Sequence, residues 1–499
     1  MPAPNEQLRA AREQKHWSQQ KAAEKIGVDR KTYLRLETGQ TYPQSGTLDL
    51  ICNAFNLSAN ELGFDGAQRR GGRVATSGLD SALAIISVPS RANDTPDLST
   101  GISIVLARIV LTIGMWSSRG LVWGEIQAMV NEEVSVLDEM LQQKPRRDEH
   151  IISRRQALMT VAALPTALLV RKSFVHPTQQ GMGVNAADFL PPCAASIAAC
   201  WHLLKGDELA TVTSLLPQYM PTLTTLAVQP SPHQQAAAAL AAQGNILQAI
   251  IAMHQLKINE RERYCREAVR CAYLSRDSNL TAAALMYLGY TYSFNIRPRR
   301  PEQAIRVFHK ALQVLGAEDS LLRSDILMGL AEAYAQCCDE RKAQENMARA
   351  QDCFPTYPEN DPSYMYAECG LNVLYQWEGK MYLELSEQYP QHGYAQRAWD
   401  VLMFSTNTQS INGRSVSETV LCQADAARLQ GDLRTYTDYM RDGLHMALTL
   451  ESRKRYDEAV ELYHKTPEPW LKEQPIKGLT KEFSGKLPDK KRGQPTWAT

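Results

Sequence analysis

Six side chains near the start of the chain have the types and spacing to meet duplex DNA, five as hydrogen-bond donors and Leu34 as an apolar contact: Gln19 and Gln20, then Arg30, Lys31, Leu34 and Arg35. Arg and Lys can donate bidentately to a guanine edge, and Leu can touch a thymine methyl. A Gln at the first turn of a helix sits where free backbone amides and the helix dipole favour an anion. That places Gln19 and Gln20 beside a phosphate rather than a base edge. From Arg9 to Arg35 there are eight basic and three acidic residues, a local charge of +5, whereas the whole chain has 54 of each and is formally neutral. Neutrality excludes a nucleic-acid coat but not a basic face on a small domain.

These residues need two short helices at a fixed angle, and AREQKHWSQQKAAEKIGVDRKTYLRLETG supplies the signals. Ser18 is placed to cap a helix through Gln19 to Ile26, because its hydroxyl can accept a free amide of the first turn. Gly27 stops that helix, since a residue without a β-carbon enters the left-handed conformation cheaply. Asp29 can cap the next helix, leaving a turn of three or four residues. On the second helix Tyr33 and Leu36 face inward, and Arg30, Lys31, Leu34 and Arg35 remain for the outer face. That is the geometry of a helix-turn-helix, whose second helix enters the major groove.

The ordered string W-S-Q-Q-x-x-A-E-K-I-G-V-D-R-x-T-Y-x-R-L-E-x-G, then Pro43 and TLDLICNAFNLSANEL, resembles the Cro/C1 repressor-like (XRE) helix-turn-helix family over residues 5–64. The resemblance implies a five-helix domain that binds double-stranded DNA. By position it assigns Gln19 to phosphate contact, Arg30, Lys31 and Arg35 to base reading, and Glu37 with Gly39 to the exit of the third helix. Ala22 stands where the family usually has Leu, and Leu34 gives the reading face an apolar member. One such module covers about 600–1,000 Å² of protein surface, so a homodimer reading two half-sites is expected.

The remaining sequence divides by texture into a linker (67–100, rich in Gly, Ser, Thr, Pro and Asp), a helical connecting region (101–180), a long helical domain (187–470) and a polar tail (471–499). The apolar runs at 101–116 and 158–170 contain Arg108 and Pro165 and fall short of the ~20 residues a bilayer requires. Packed helices and no membrane association are therefore expected. Ten Cys without a CxxC pair, and no apolar h-region at the start, suggest the cytoplasm.

Within the helical domain, Leu288, Gly289 and Tyr292 precede Ala304, Phe308 and Ala311. Leu330, Ala331 and Tyr334 precede Ala343, Met347, Ala350 and Pro355. Small residues let paired helices approach, and Pro355 ends the second unit. These offsets resemble the tetratricopeptide (TPR) repeat, with further units expected around Ala249, Ala252 and Ala268, at 363–398 and at 417–449. The repressor-like domain together with RRQALMTVAALPTALL at 154–169, CAASIAACWHLLKGDEL at 193–209, ECG at 368–370 and YPQHGYAQRAWD at 389–400 is similar, over nearly the full chain, to large XRE-type bacterial regulators abundant in Ktedonobacteria. The fold expected is thus all-α: a five-helix reader, a linker, a helical segment and a TPR-like α-solenoid. Its groove offers a place for a peptide or protein ligand. Arg270, Arg276, Arg297, Arg299 and Arg300 read as solvated loop residues or as contacts for an acidic peptide or nucleic acid, and Tyr264, Tyr287, Tyr290, Tyr292, Tyr364 and Tyr366 read as repeat core or, alternatively, as the lining of a peptide groove.

No G-x-x-x-x-G-K-[ST], HExxH or G-x-S-x-G occurs, and the ten His are scattered. Neither a cofactor nor a metal is expected. The function expected is a DNA-binding transcriptional regulator whose array dimerises it or answers a partner. Two alternatives stay open at this point: a TPR adaptor that uses its first domain for docking, and an enzyme with an unrecognised site in 101–250.

Overall fold

The computed structural model describes residues 5–15, 17–26 and 30–38, positions between 51 and 62, short stretches within 130–136 and 158–165, and 185–483 with brief gaps. The expected linker, most of the connecting region and residues 484–499 lie outside this set. Among the described residues the protein is helical without strands, and the chain divides into two units, Met1–Thr95 and Pro96–Thr499.

The first unit opens with α1 (Glu6–Gln14), α2 (Gln19–Ile26) and α3 (Arg30–Glu37). Asn5 starts α1 and ties it down. Its Oδ1 accepts from the Leu8 amide at 3.0 Å, its Nδ2 donates to the Leu62 carbonyl at 2.9 Å, and its amide donates to the Glu37 carbonyl at 2.9 Å. Leu8, Ala11, Ala22, Ala23, Ile26, Tyr33, Leu36, Ile51, Phe55 and Leu62 form the core, with Trp17 against the Phe55 ring at 5.3 Å. Each large apolar side chain so buried contributes about 1.5–3 kcal/mol, enough for a small domain to hold two short helices that would not persist alone.

The second unit begins with α4 (Ala186–Lys205), α5 (Leu209–Leu215) and α6 (Met220–Val228). Helical hairpins follow: α7 (Gln234–His254) with α8 (Ile258–Ser275), α9 (Ser278–Tyr290) with α10 (Pro301–Leu315), and α11 (Leu321–Gln336) with α12 (Glu340–Asp352). After the short α13 (Tyr364–Ala367) come α14 (Leu371–Gln388) with α15 (Tyr394–Asn407), then α16 (Gly413–Gln430) with α17 (Leu433–Thr449). The series closes with α18 (Arg453–His464) and α19 (Gln474–Glu482). Asp277, Ser320, Asp339, Asp432 and Ser452 each start a helix by accepting a hydrogen bond from the amide three residues on. These caps satisfy donors that the first helical turn leaves open.

The first helix of each hairpin packs on the first helix of the next, through α7, α9, α11, α14, α16 and α18. Close approach depends on small residues. A β-carbon on Gly289 would lie 2.5 Å from the Phe308 ring, and one on Gly329 would lie 2.6 Å from the same ring. Ala304, Phe308, Ala311, Ala343, Met347 and Ala350 are buried, as their spacing predicts.

Two features were not legible from periodicity. Helix α7 also packs against α18, and the His254 Nδ1 lies 3.3 Å from the Ser452 Oγ at that seam, so the ends of the array meet. Helix α4 is buried on nearly every side: it packs on α7, its Trp201 lies against Tyr366, and the Leu204 carbonyl accepts from Arg414 at the start of α16. The connecting region contributes Val130, Val134, Leu158, Val161 and Ala162 to the same core. The packed body also continues past 470, where a polar tail is expected from the sequence. Ile476, Leu479 and Phe483 recur at helical spacing and are buried with Tyr436, Met440 and Tyr463. The polar composition of 471–499 as a whole conceals that short apolar stripe.

Candidate nucleic-acid interface

Helix α2 begins as the sequence predicts, with the Ser18 Oγ accepting from the Lys21 amide at 3.2 Å. Its Ala22, Ala23 and Ile26 turn into the core, and α3 buries Tyr33 and Leu36 against them. Ala22, small where the family usually has Leu, is fully buried. Leu34 lies on the opposite side of α3 with 41% of its surface exposed. A single exposed apolar side chain is ordinary on a protein surface, so the exposure shows only that Leu34 lies on the outer face of α3, as its spacing predicts. The turn at 27–29, with Gly27 and Asp29, lies outside the described residues, as do the side chains of Arg30, Lys31 and Arg35. Their backbone belongs to α3.

The two helices are locked by a buried polar network. The Arg12 Nε donates to the Glu37 Oε1 at 2.9 Å, and a second guanidinium nitrogen lies 2.8 Å from the same oxygen. The Gln19 Nε2 donates to the Glu37 Oε2 at 2.6 Å, and the Arg12 Nη1 donates to the Trp17 carbonyl at 2.9 Å. Glu37 is 5% exposed. A carboxylate at the C-terminal end of a helix opposes the helix dipole, and burial raises the cost of its charge; Arg12 offsets both. Burial also pushes the Tyr33 phenol well above its ordinary pKa, with Glu37 adding to the shift, so Tyr33 stays neutral inside the reader.

The network joins the first residue of α2 to the last residue of α3, beside the core contacts that pack the two helices together. Glu37, expected from the sequence only to mark the exit of the third helix, is its centre. Arg12 had no sequence signal beyond its charge, because its partner lies 25 residues away. Gln19 is half-buried and donates to Glu37, while Gln20, Lys21 and Lys25 are exposed along α2.

The arginines and tyrosines singled out in the second unit do not form one surface. Arg270 pairs with Glu267 at 2.5 Å, Arg299 pairs with Glu384 on the inner side, and Arg276 takes a left-handed backbone at the end of α8. Arg297 lies outside the described residues. Tyr287, Tyr290, Tyr292 and Tyr366 are core residues, and Tyr264 and Tyr364 are partly buried against it. Among the described residues no group of three His, Cys, Asp or Glu is placed to hold a metal ion. Of the described helices, α7 alone is long and apolar enough to cross a bilayer, and 89% of that stretch is buried within the protein.

Residues 8–62 match the helix-turn-helix family model of the XRE, Cro/C1-like type. The match covers the part of the first unit that holds α2, α3 and most of α1. No curated protein matches the chain.

Proposed function

We propose that the chain is a sequence-specific DNA-binding transcriptional regulator that reads duplex DNA with α3. In this reading Arg30, Lys31, Leu34 and Arg35 meet base edges, and Gln19 and Gln20 lie beside phosphates. The observation that carries it is the α2–α3 pair fixed by Arg12, Glu37 and Gln19 within a helix-turn-helix match, with Leu34 held outward. A reading helix must enter the groove at a fixed angle, and this network fixes one end of it.

The second unit, whose hairpin spacing is similar to TPR repeats, serves dimerisation, the response to a peptide or protein partner, or both. One small reader is marginal alone, so two in a homodimer supply the affinity. A partner regulates only by binding one arrangement of the dimer more tightly than another, and a tenfold shift corresponds to about 1.4 kcal/mol.

Selection of genomic fragments by the purified full-length protein, with and without cell extract, tests both parts. Enrichment of a two-half-site sequence by a species of twice the chain mass is expected. A 1–75 fragment that binds that sequence as tightly as the whole chain would remove the second unit from operator binding.

A further inference from the structure

Helices α6 and α8 both pack on α7, and between them, with α7 as the floor, lies a groove of about 960 Å³. Gly244 lets α6 come down onto α7, since a β-carbon there would lie 2.4 Å from the Met220 sulfur. One wall is apolar, built from Pro217, Met220 and Pro221. The other is the side of α8 that carries Arg263, Arg266 and Arg270, spaced as neighbours along one helix face, with Glu262 and Glu267 beside them. Asn245, on the floor, stands nine positions before His254, two and a half helical turns. The groove therefore lies on the opposite side of α7 from its seam with α18.

Two amide side chains line the floor about one helical turn apart, Asn245 and Gln248. Asn245 is 4% exposed, and its Nδ2 donates to the Ala241 carbonyl at 2.7 Å. Its Oδ1 accepts no hydrogen bond among the described residues, and it is not sealed within the protein, so it opens on the groove. An acceptor on so buried a side chain calls for a donor from whatever enters. Gln248 likewise makes no hydrogen bond among the described residues, and beyond the first two residues of α7 it is the polar one that is not buried. On the α8 wall Arg266 holds Glu262 at 2.6 Å and Arg270 holds Glu267 at 2.5 Å. Arg263 makes no ion pair among the described residues; its guanidinium lies 4.6 Å from the centre of the Tyr264 ring, which leaves its charge for a ligand.

The volume falls within the roughly 300–1,000 Å³ of ligand sites. From Asn259 to Arg270 the α8 wall runs about 16 Å, the length of about five extended residues. An extended peptide repeats an N–H and a C=O along its length, and a side-chain amide, with donors and an acceptor of its own, pairs with both. A guanidinium fork matches a carboxylate. Resting on the partner-responsive reading above, we propose that this groove binds an extended peptide segment bearing an acidic side chain. Asn245 and Gln248 hold its main chain, Pro217, Met220 and Pro221 hold an apolar side chain, and Arg263 holds the carboxylate. Elsewhere α7 is covered by α4 and α18, and α9 offers no comparable face, because every residue from Leu280 to Tyr290 is buried.

The test uses the full-length protein. Degenerate heptapeptide pools with a fixed central Asp, Lys or Leu are captured on the immobilised chain, and a sequence enriched from the best-retained pool is made again with its three central amides N-methylated. The Asp-fixed pool is expected to be retained at least fivefold over the Lys- and Leu-fixed pools, and N-methylation should weaken binding at least tenfold. Arg263→Gln should abolish the acid preference, whereas Arg341→Gln, on an exposed pair with Glu345, should keep it. Asn245→Leu, close in size, should lower the retention of every pool; should it fail to fold, Gln248→Leu at the half-buried position beside it replaces it. Pools retained without an acid preference, or with one that neither the Arg263 nor the floor variant alters, overturn the groove and leave the peptide reading standing. Retention of no pool overturns the groove and the peptide reading together.

Discussion

Glu37 holds the reader together with a single carboxylate, accepting from Arg12 on one oxygen and from Gln19 on the other. Glu37→Gln leaves the partly buried Arg12 only the exposed Glu13, 3.5 Å away, as a counter-charge and should cost about 1–3 kcal/mol, measured by denaturation of a 1–75 fragment, which carries its own core. Replacing both partners, as Arg12→Met with Glu37→Leu, should recover most of that loss, because the uncompensated charge is gone. At this scale the sequence was informative where neighbours decide the outcome. The Ser18 cap, the inward Tyr33 and Leu36 and the outward Leu34 all follow from local spacing. The Arg12–Glu37–Gln19 network was not legible, because tertiary packing alone brings residues on three helices together.

Among the elements, the hairpin array depends on small residues at helix crossings. Gly289→Val drives a side chain into the Phe308 ring and should destabilise the second unit by about 1–3 kcal/mol in urea melts. Adding Phe308→Leu should restore part of the loss by making room. Gly478, inside α19 with open space around it, gives the opposite sign: Gly478→Ala should stabilise by about 0.5–1 kcal/mol through the unfolded chain's entropy. The hairpins at α9–α12 were readable because their Ala, Phe and Leu offsets repeat along the chain. Helix α4 was not, since a helix buried all round has no amphipathic period. Likewise α19 carries too few apolar residues to stand out before Tyr436 and Tyr463 are placed beside it.

Over the whole molecule, the array closes where α7 meets α18, a contact between residues some 200 positions apart that no periodicity announces. His254 is buried there, and burial together with Arg414, Arg455, Lys454 and Arg261 holds its pKa well below the ordinary value. Above about pH 6.5 His254 is neutral folded or unfolded and contributes nothing to pH dependence. Below it the unfolded chain takes up a proton that the folded chain refuses, so stability falls by about 1.4 kcal/mol per pH unit. Urea midpoints at pH 7.5 and 5.5 should therefore lie closer together in His254→Gln than in the parent; an unchanged gap would place the acid sensitivity elsewhere. The reading proposed above gives recognition to the first unit and assembly and control to the second. The most direct measurement of that central claim is the affinity of the full-length protein and of Arg30→Ala for the selected duplex and for a scrambled duplex at one salt concentration. The account expects Arg30→Ala to lose about 1–3 kcal/mol on the selected duplex and little on the scrambled one. Parent binding that does not distinguish the two duplexes would contradict it.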